Sequence, residues 1–338
     1  MIAIFVTTVL NFIFFLIFYN FFSTHIGLID KPNERKIHKG LVPLTGGLII
    51  FSSLIVSNFY IQIPSEIITI FMLSIPILLI GLIDDLFEVH YLYRIIVQLL
   101  VILLLIGFNI YVVDLGKLIN DDNFLLGAFS IPLTFLAVIG LTNSFNFIDG
   151  LDGLCSGLSI ISISSILVYT LIFSGFNIYT DFLIVLIISI SLFFIFNLGF
   201  LKGYKIFLGD SGSTIIGFIL SCLLILFTMP SIRLFPPILV IWFVAIPIFD
   251  LVNVVLDRII NKTNPFLPDR NHIHHILIRM NFNKYSILMF IFGSQIILSI
   301  IGGLIYYFIG NKFSIIIYLF CFFIYKFIIN KINAKQLI

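Results

Sequence analysis

Apolar runs long enough to cross a bilayer recur about eleven times in this 338-residue chain, and no other feature restricts its fold so severely. A hydrocarbon core about 30 Å thick asks for roughly 17–25 helical residues. The runs lie at 2–22, 42–61, 66–83, 91–110, 131–147, 154–173, 182–200, 213–229, 236–256, 286–309 and 313–330. Only 10% of the residues are charged and mean hydropathy is +1.22, whereas soluble domains are about 25% charged. The first run lacks a basic leader and a small-residue cleavage site, so it reads as a retained span. Cys155, Cys222 and Cys321 all sit inside apolar runs and offer no disulfide framework. The expected fold is all-α: a polytopic integral membrane protein of about eleven spans, one domain over 1–338.

The connectors between runs alternate in charge. Those on one side carry 15 of the 18 Lys and Arg residues; the other side has Lys117, Arg233 and Lys312. The positive-inside bias puts the basic side in the cytoplasm, with the N-terminus out and the C-terminus in. A net charge of only +2, with basic residues dispersed among acids, argues against a nucleic-acid partner.

Within that frame the polar residues are few and concentrated. Asn143 to Leu154 joins two apolar runs and holds Asn146, Asp149, Gly150, Asp152 and Gly153, with no Lys or Arg. On a helical turn Asp149 and Asp152 would share a face, and the glycines would leave room for a ligand at the backbone. Asp84 and Asp85 end another apolar run, at a helix C-terminus where the dipole disfavours acids. Close carboxylates disfavour joint ionisation, so one of this pair is a candidate proton acceptor unless a metal holds both ionised. Asp210 stands in a Gly/Ser-rich turn, Gly209 to Ser213, downstream of Asn197; such an Asp suits Mg²⁺, which takes one or two carboxylates plus phosphates and waters.

Two basic loops complete the set. The first runs from Asp30 through His38 and Lys39 to Gly46–Gly47, where cations and paired glycine N–H groups suit phosphate. The second carries Arg270, His272, His274 and His275. Adjacent His274 and His275 without a nearby thiolate make a poor zinc site and read better as donors to phosphate or sugar oxygens. His272 and His275, at i and i+3, would face one ligand together.

An energy comparison places these groups. Five aspartates at mid-bilayer would cost roughly 2.5–3.5 kcal/mol each, about as much together as a domain's whole stability of about 5–15 kcal/mol. Asp84, Asp85, Asp149, Asp152 and Asp210 must therefore gather at span ends, around water, a cation and an anionic ligand. A proton-coupled transporter would instead place its carboxylates near the midplane and show repeats.

Asp30-Lys31-Pro32-Asn33 with Arg35-Lys36 and His38, Asp84-Asp85, Asn143 to Leu154, Phe207 to Ser213, and Pro265-Phe266 with Pro268-Asp269-Arg270 and His272 to His275 occur in that order. Together they resemble the polyprenyl-phosphate N-acetylhexosamine-1-phosphate transferases, and the histidine segment is most similar to the branch using UDP-GlcNAc and undecaprenyl phosphate to start O-antigen and related glycans. Glu88 departs from the Asp common in that branch. The resemblance implies a cytoplasmic cleft at a bacterial inner membrane, Mg²⁺ (or Mn²⁺) dependence, and transfer of GlcNAc-1-phosphate with release of UMP. Another UDP-N-acetylhexosamine, or phospho-MurNAc-pentapeptide, is the alternative donor. Asp210 with Asp149 would hold the metal. Asp84 and Asp85 would orient the lipid phosphate or accept its proton, while Asp149, Asp152, Asn146 and Asn197 shape the nucleotide and metal pocket. Lys39, Arg270, His272, His274 and His275 would bind phosphates and sugar. Direct displacement and a covalent phospho-Asp route both stay open, as does a homodimer.

Overall fold

The computed structural model describes residues 2–31, 40–118, 122–201, 203–263 and 271–336, with side chains to residue 333. Lys39 and Arg270, and most of the two basic loop motifs around them, lie outside the described residues. In chain order the helices are α1 (Ile2–Ile26), α2 (Gly46–Ser57), α3 (Ser65–Phe87), α4 (Tyr91–Gly107), α5 (Ser130–Ile148), α6 (Leu154–Ser174), α7 (Ile178–Leu198) and α8 (Gly209–Leu226). They continue as α9 (Val240–Phe243), α10 (Ala245–Ile260), α11 (Ile273–Arg279), α12 (Lys284–Phe308) and α13 (Asn311–Gln336). One two-stranded antiparallel ribbon, β1 (Ile29–Asp30) with β2 (Val42–Pro43), pairs Asp30 with Val42.

Every apolar run becomes helix, but not every run becomes one long helix. Among the described residues eight helices are long and apolar enough to cross a membrane. A ninth span arises if the pair Pro237–Phe243 and Ala245–Ile260, bent by 75°, counts as one; Gly46–Tyr60 and Tyr91–Gly107 are shorter. The protein is thus a polytopic, all-α membrane protein.

Helix α8 is the axis of the bundle. Every residue from Ser211 to Leu226 is buried, as expected of a helix that is apolar all round. Its neighbours reach it through small residues, the usual solution where lipid offers no hydrophobic drive between helices. A β-carbon on Gly81 of α3 would lie 2.4 Å from Ser211 Cα, and one on Gly47 of α2 would lie 2.6 Å from Gly212 Cα. Both contacts fall at the N-terminal end of α8, so this close backbone packing adjoins the polar groups described below.

The break between α9 and α10 follows from Pro247. Proline has no N–H and its ring excludes the carbonyl four residues back, which is that of Phe243. That carbonyl accepts from Ser162 Oγ (2.8 Å) and Gln295 Nε2 (3.0 Å). Gln295 Nε2 also donates to Trp242 O (2.9 Å), and its Oε1 accepts from Ile246 N (2.9 Å). One buried amide thus satisfies both sides of the break, as irregular backbone at membrane depth requires.

Candidate active site

Each polar motif sits at a helix end, and the ends meet. Asp84 and Asp85 close α3, Asp149 and Asp152 lie on the turn between α5 and α6, Asn197 closes α7 and Asp210 opens α8. They line one cleft of about 630 Å³ together with Asp30, Glu88, Lys205 and His275. Seven carboxylates thus face a single space, and Lys205 is the only Lys or Arg among the described lining residues. Asp149 and Asp152 do share the cleft, but not through helical spacing: residues 149–153 form turns, so the chain reversal brings them together.

The carboxylates differ in what they already hold. Asp85 is committed to backbone. Its Oδ1 accepts from Asp210 N (2.7 Å) and its Oδ2 from Ser211 N (3.1 Å), two of the N–H groups that a helix leaves without internal partners. No side chain of α8 caps its own first turn, so α3 supplies the cap across the bundle. Gly209 makes room: its φ is +75°, and a β-carbon there would lie 2.6 Å from Asp85 Oδ2. An acid that would be misplaced at the negative end of α3 therefore sits at the positive end of α8.

Asp84 is committed to Arg94. The Arg94 Nη1 stands 2.8 Å from Asp84 Oδ2 and 3.2 Å from Asp210 Oδ1, bridging two acids from the first turn of α4. Asn146 Nδ2 donates to the same Asp210 oxygen (2.5 Å) and to Ser213 Oγ (2.9 Å). Asp210 is nevertheless 41% exposed, open to the cleft. Asp152 Oδ2 is held by two cations, Lys205 Nζ at 2.7 Å and Lys284 Nζ at 2.8 Å.

Asp149 alone of the five aspartates makes no side-chain hydrogen bond or ion pair among the described residues. Burial, followed by the charges of Asp210, Asp152 and Asp85, pushes its carboxyl well above the usual carboxylate range. A cation beside it would offset the repulsion from those acids. Among the described residues no three His, Cys, Asp or Glu side chains enclose a metal ion by themselves. Asp149 and Asp210 instead offer oxygen donors on an open cleft, the donor set Mg²⁺ takes when phosphates and waters complete its shell.

Several sequence expectations change on this geometry. Asn197 spends its amide internally, accepting from Gly153 N (2.6 Å) and donating to Ile206 O (2.9 Å), so it shapes the cleft as a clamp. The space left by Gly150 is filled by the chain itself, since a β-carbon there would lie 2.3 Å from His274 Nε2. Gly46 N and Gly47 N donate to Phe207 O (3.0 Å) and Leu208 O (3.2 Å), so those N–H groups are not free for phosphate.

The three histidines separate. His275 lines the cleft. His272 is buried outside it and precedes α11 in an extended conformation, its Nδ1 2.8 Å from Asp250 Oδ2. His272 and His275 therefore do not form the expected i, i+3 pair on one helical face. His274 is fully buried, and both its ring nitrogens lack a hydrogen-bond partner among the described residues; burial, then the adjacent His275, lowers its pKa to about 3. Arg94, Lys205 and Lys284 were missed as site residues. Arg94 had a legible signal, a lone guanidinium opening an apolar helix; the two lysines meet Asp152 only through tertiary packing.

The family profile described as glycosyl transferase family 4 matches residues 67–228, which hold all five aspartates. A protein named undecaprenyl-phosphate alpha-N-acetylglucosaminyl 1-phosphate transferase in Escherichia coli (strain K12) is 33% identical over 340 residues, covering 98% of this chain and 90% of that protein. The chain belongs to glycosyl transferase family 4. Proteins of the same name in Yersinia pestis (34% over 316 residues, 90% of this chain and 85% of that protein) and Salmonella typhi (32% over 315 residues, 90% and 84%) are similar along most of their length. The glycosyl transferase family 4 match ends at 228, so the histidine segment lies beyond it and rests on the full-length relatives.

Proposed function

We propose that this chain transfers GlcNAc-1-phosphate from UDP-GlcNAc to undecaprenyl phosphate, releasing UMP, as a phosphotransferase of the bacterial inner membrane. The names of its relatives support the substrates. The convergence of five aspartates from separate helix ends on one open cleft supports the chemistry. Carboxylates at span ends also fit an enzyme better than a proton relay, which would run through the bilayer centre.

One phosphate oxygen of the lipid attacks the β-phosphorus of the nucleotide sugar, and the bond to the UMP oxygen breaks. A phosphate monoester has a second pKa of about 6, so the lipid phosphate arrives largely as a dianion and needs no strong base. This suits a site where Asp84 and Asp85 are already engaged. Asp149 and Asp210 are the residues that would hold Mg²⁺ (or Mn²⁺), whose charge would offset that of the pyrophosphate. Asn146 and Arg94 fix the Asp210 carboxylate, and Lys205 and Lys284 present positive charge beside Asp152. Positioning and charge stabilisation are what phosphoryl transfer chiefly needs. The bias of Lys and Arg supports a cleft that faces the cytoplasm and an external N-terminus, with eleven spans if α2, α4 and the bent α9–α10 pair each cross beside the eight longer helices.

The test is purified protein with undecaprenyl phosphate, Mg²⁺ and a panel of radiolabelled UDP-sugars. Labelled lipid and released UMP in equal amounts with UDP-GlcNAc are expected. No lipid product with any donor overturns the reading, and preference for another UDP-N-acetylhexosamine corrects the sugar. Chelation should stop transfer, and Mg²⁺ should restore it.

A further inference from the structure

Asp250 lies on α10, away from the cleft, and only 1% of it is exposed. A carboxylate so buried is costly unless every oxygen is satisfied, and this one is held from three directions. Its Oδ2 pairs with His272 Nδ1 (2.8 Å), and its Oδ1 accepts from Ile273 N (2.8 Å) and Tyr325 Oη (3.0 Å). These partners belong to the residue before α11, the first residue of α11, and α13. None of them lines the cleft.

Ile273 N is one of the N–H groups a helix start leaves unpaired, and the side chain of His272, at the N-cap, does not serve it. Asp250 supplies that cap from another helix. The start of α11 is thereby fixed, and two of its next residues matter to the site. His274 packs against Gly150, next to Asp149, and His275 lines the cleft. The C-terminal helix joins through Tyr325, with Lys326 Nζ 3.1 Å from Asp257 Oδ1 and Arg279 Nη2 3.3 Å from Asn333 Oδ1 as further ties.

We propose that Asp250 is a positioning residue, which with Tyr325 sets α11 through His272 and Ile273 and so holds His275 on the cleft and His274 against the Asp149 turn. His272 then serves by donating from Nδ1 to Asp250, not by touching substrate. The inference deepens the transferase reading and rests on it for its kinetic arm; its exchange arm does not.

The decisive comparison is His272→Ala against His272→Asn, since an Asn amide can donate from nearly the place of Nδ1. In detergent-purified full-length protein, His272→Ala should lower kcat/KM roughly ten- to a hundredfold, because a displacement of about 1 Å near a reacting centre can cost that much. His272→Asn should recover to within about threefold of wild type. Hydrogen exchange of the amides from Ile273 to Arg279 should quicken in His272→Ala and Asp250→Asn and stay near wild type in His272→Asn, with α8 unchanged in all. Tyr325→Phe, which removes one hydroxyl, should give the same pattern more weakly and covers the case in which Asp250→Asn does not fold. An inactive His272→Asn with wild-type exchange in α11 would overturn the proposal, because the ring would then act on substrate. Unchanged exchange in Asp250→Asn, or in Tyr325→Phe if the former does not fold, would also overturn it. A wild-type protein without activity would sink the transferase reading and leave the exchange result standing.

Discussion

Helices α8 and α11 both begin without a cap of their own, and both borrow a carboxylate from another helix. Asp85 serves two N–H groups of α8 at the edge of a cleft crowded with acids. Asp250 serves one N–H group of α11 beneath the surface, with a His and a Tyr as further donors. The same device thus works in two electrostatic settings. Beside Asp85 the helix N–H groups are the chief local donors, so its cluster stays short of positive charge and suited to a cation and phosphates. Asp250 is fully served by the protein and suits a fixed support.

That contrast makes Asp85→Ala the most damaging change. It strands the N–H groups of Asp210 and Ser211, at up to about 1–3 kcal/mol each, and disturbs the turn bearing Asp210. Transfer should fall more than about a thousandfold and the melting temperature of the detergent-solubilised protein should drop. A variant with wild-type stability would mean that α8 does not depend on the borrowed cap.

Asp149→Asn should separate activity from stability. Its carboxylate has no partner to lose among the described residues, and three acids repel it. Transfer should fall about 10²–10³-fold, the usual cost of removing one electrostatic stabiliser, while thermal stability holds or rises. A destabilised Asn variant would reveal a structural role for Asp149.

The paired lysines sharpen the picture at smaller amplitude. Lys205 and Lys284 both reach Asp152 Oδ2, so Lys205→Met or Lys284→Met alone should cost about tenfold in kcat/KM. Together they should cost more than the product of the two, as groups sharing one partner couple. Strict additivity in a double-mutant cycle would mean that the lysines act independently.

The smallest effect concerns pH. His274 has a folded pKa near 3 against about 6.5 unfolded, so the unfolded chain binds more protons between those values. Stability supplied by the neutral ring is complete above about pH 6.5 and is lost as pH falls, about 2 kcal/mol by pH 5. Melting curves of wild type should therefore fall faster between pH 6.5 and 5 than those of His274→Gln. Parallel curves would show that His274 takes up its proton in the folded state.

The helices were legible because hydrocarbon tolerates few alternatives: each of the eleven apolar runs is helical over most of its length, though the run at 236–256 is broken into α9 and α10. The break at Pro247 was less legible. Proline marks the place, but only Gln295 and Ser162, far away in sequence, show how Phe243 O is satisfied. The acidic site was legible in outline, because five aspartates in so apolar a chain cannot lie at mid-bilayer.

The division of labour among those aspartates was not legible. Asp84 and Asp85 are neighbours in sequence, yet one holds Arg94 of α4 and the other holds the backbone of α8. Three histidines within four positions part into a support, a buried neutral ring and a cleft residue. By itself the sequence determined which residues had to leave the lipid and that they had to gather at helix ends, because transfer free energy depends on residue type alone. Which carboxylate stays free for a ligand was decided by tertiary structure, because a hydrogen bond depends on where helices far apart in the chain bring their ends.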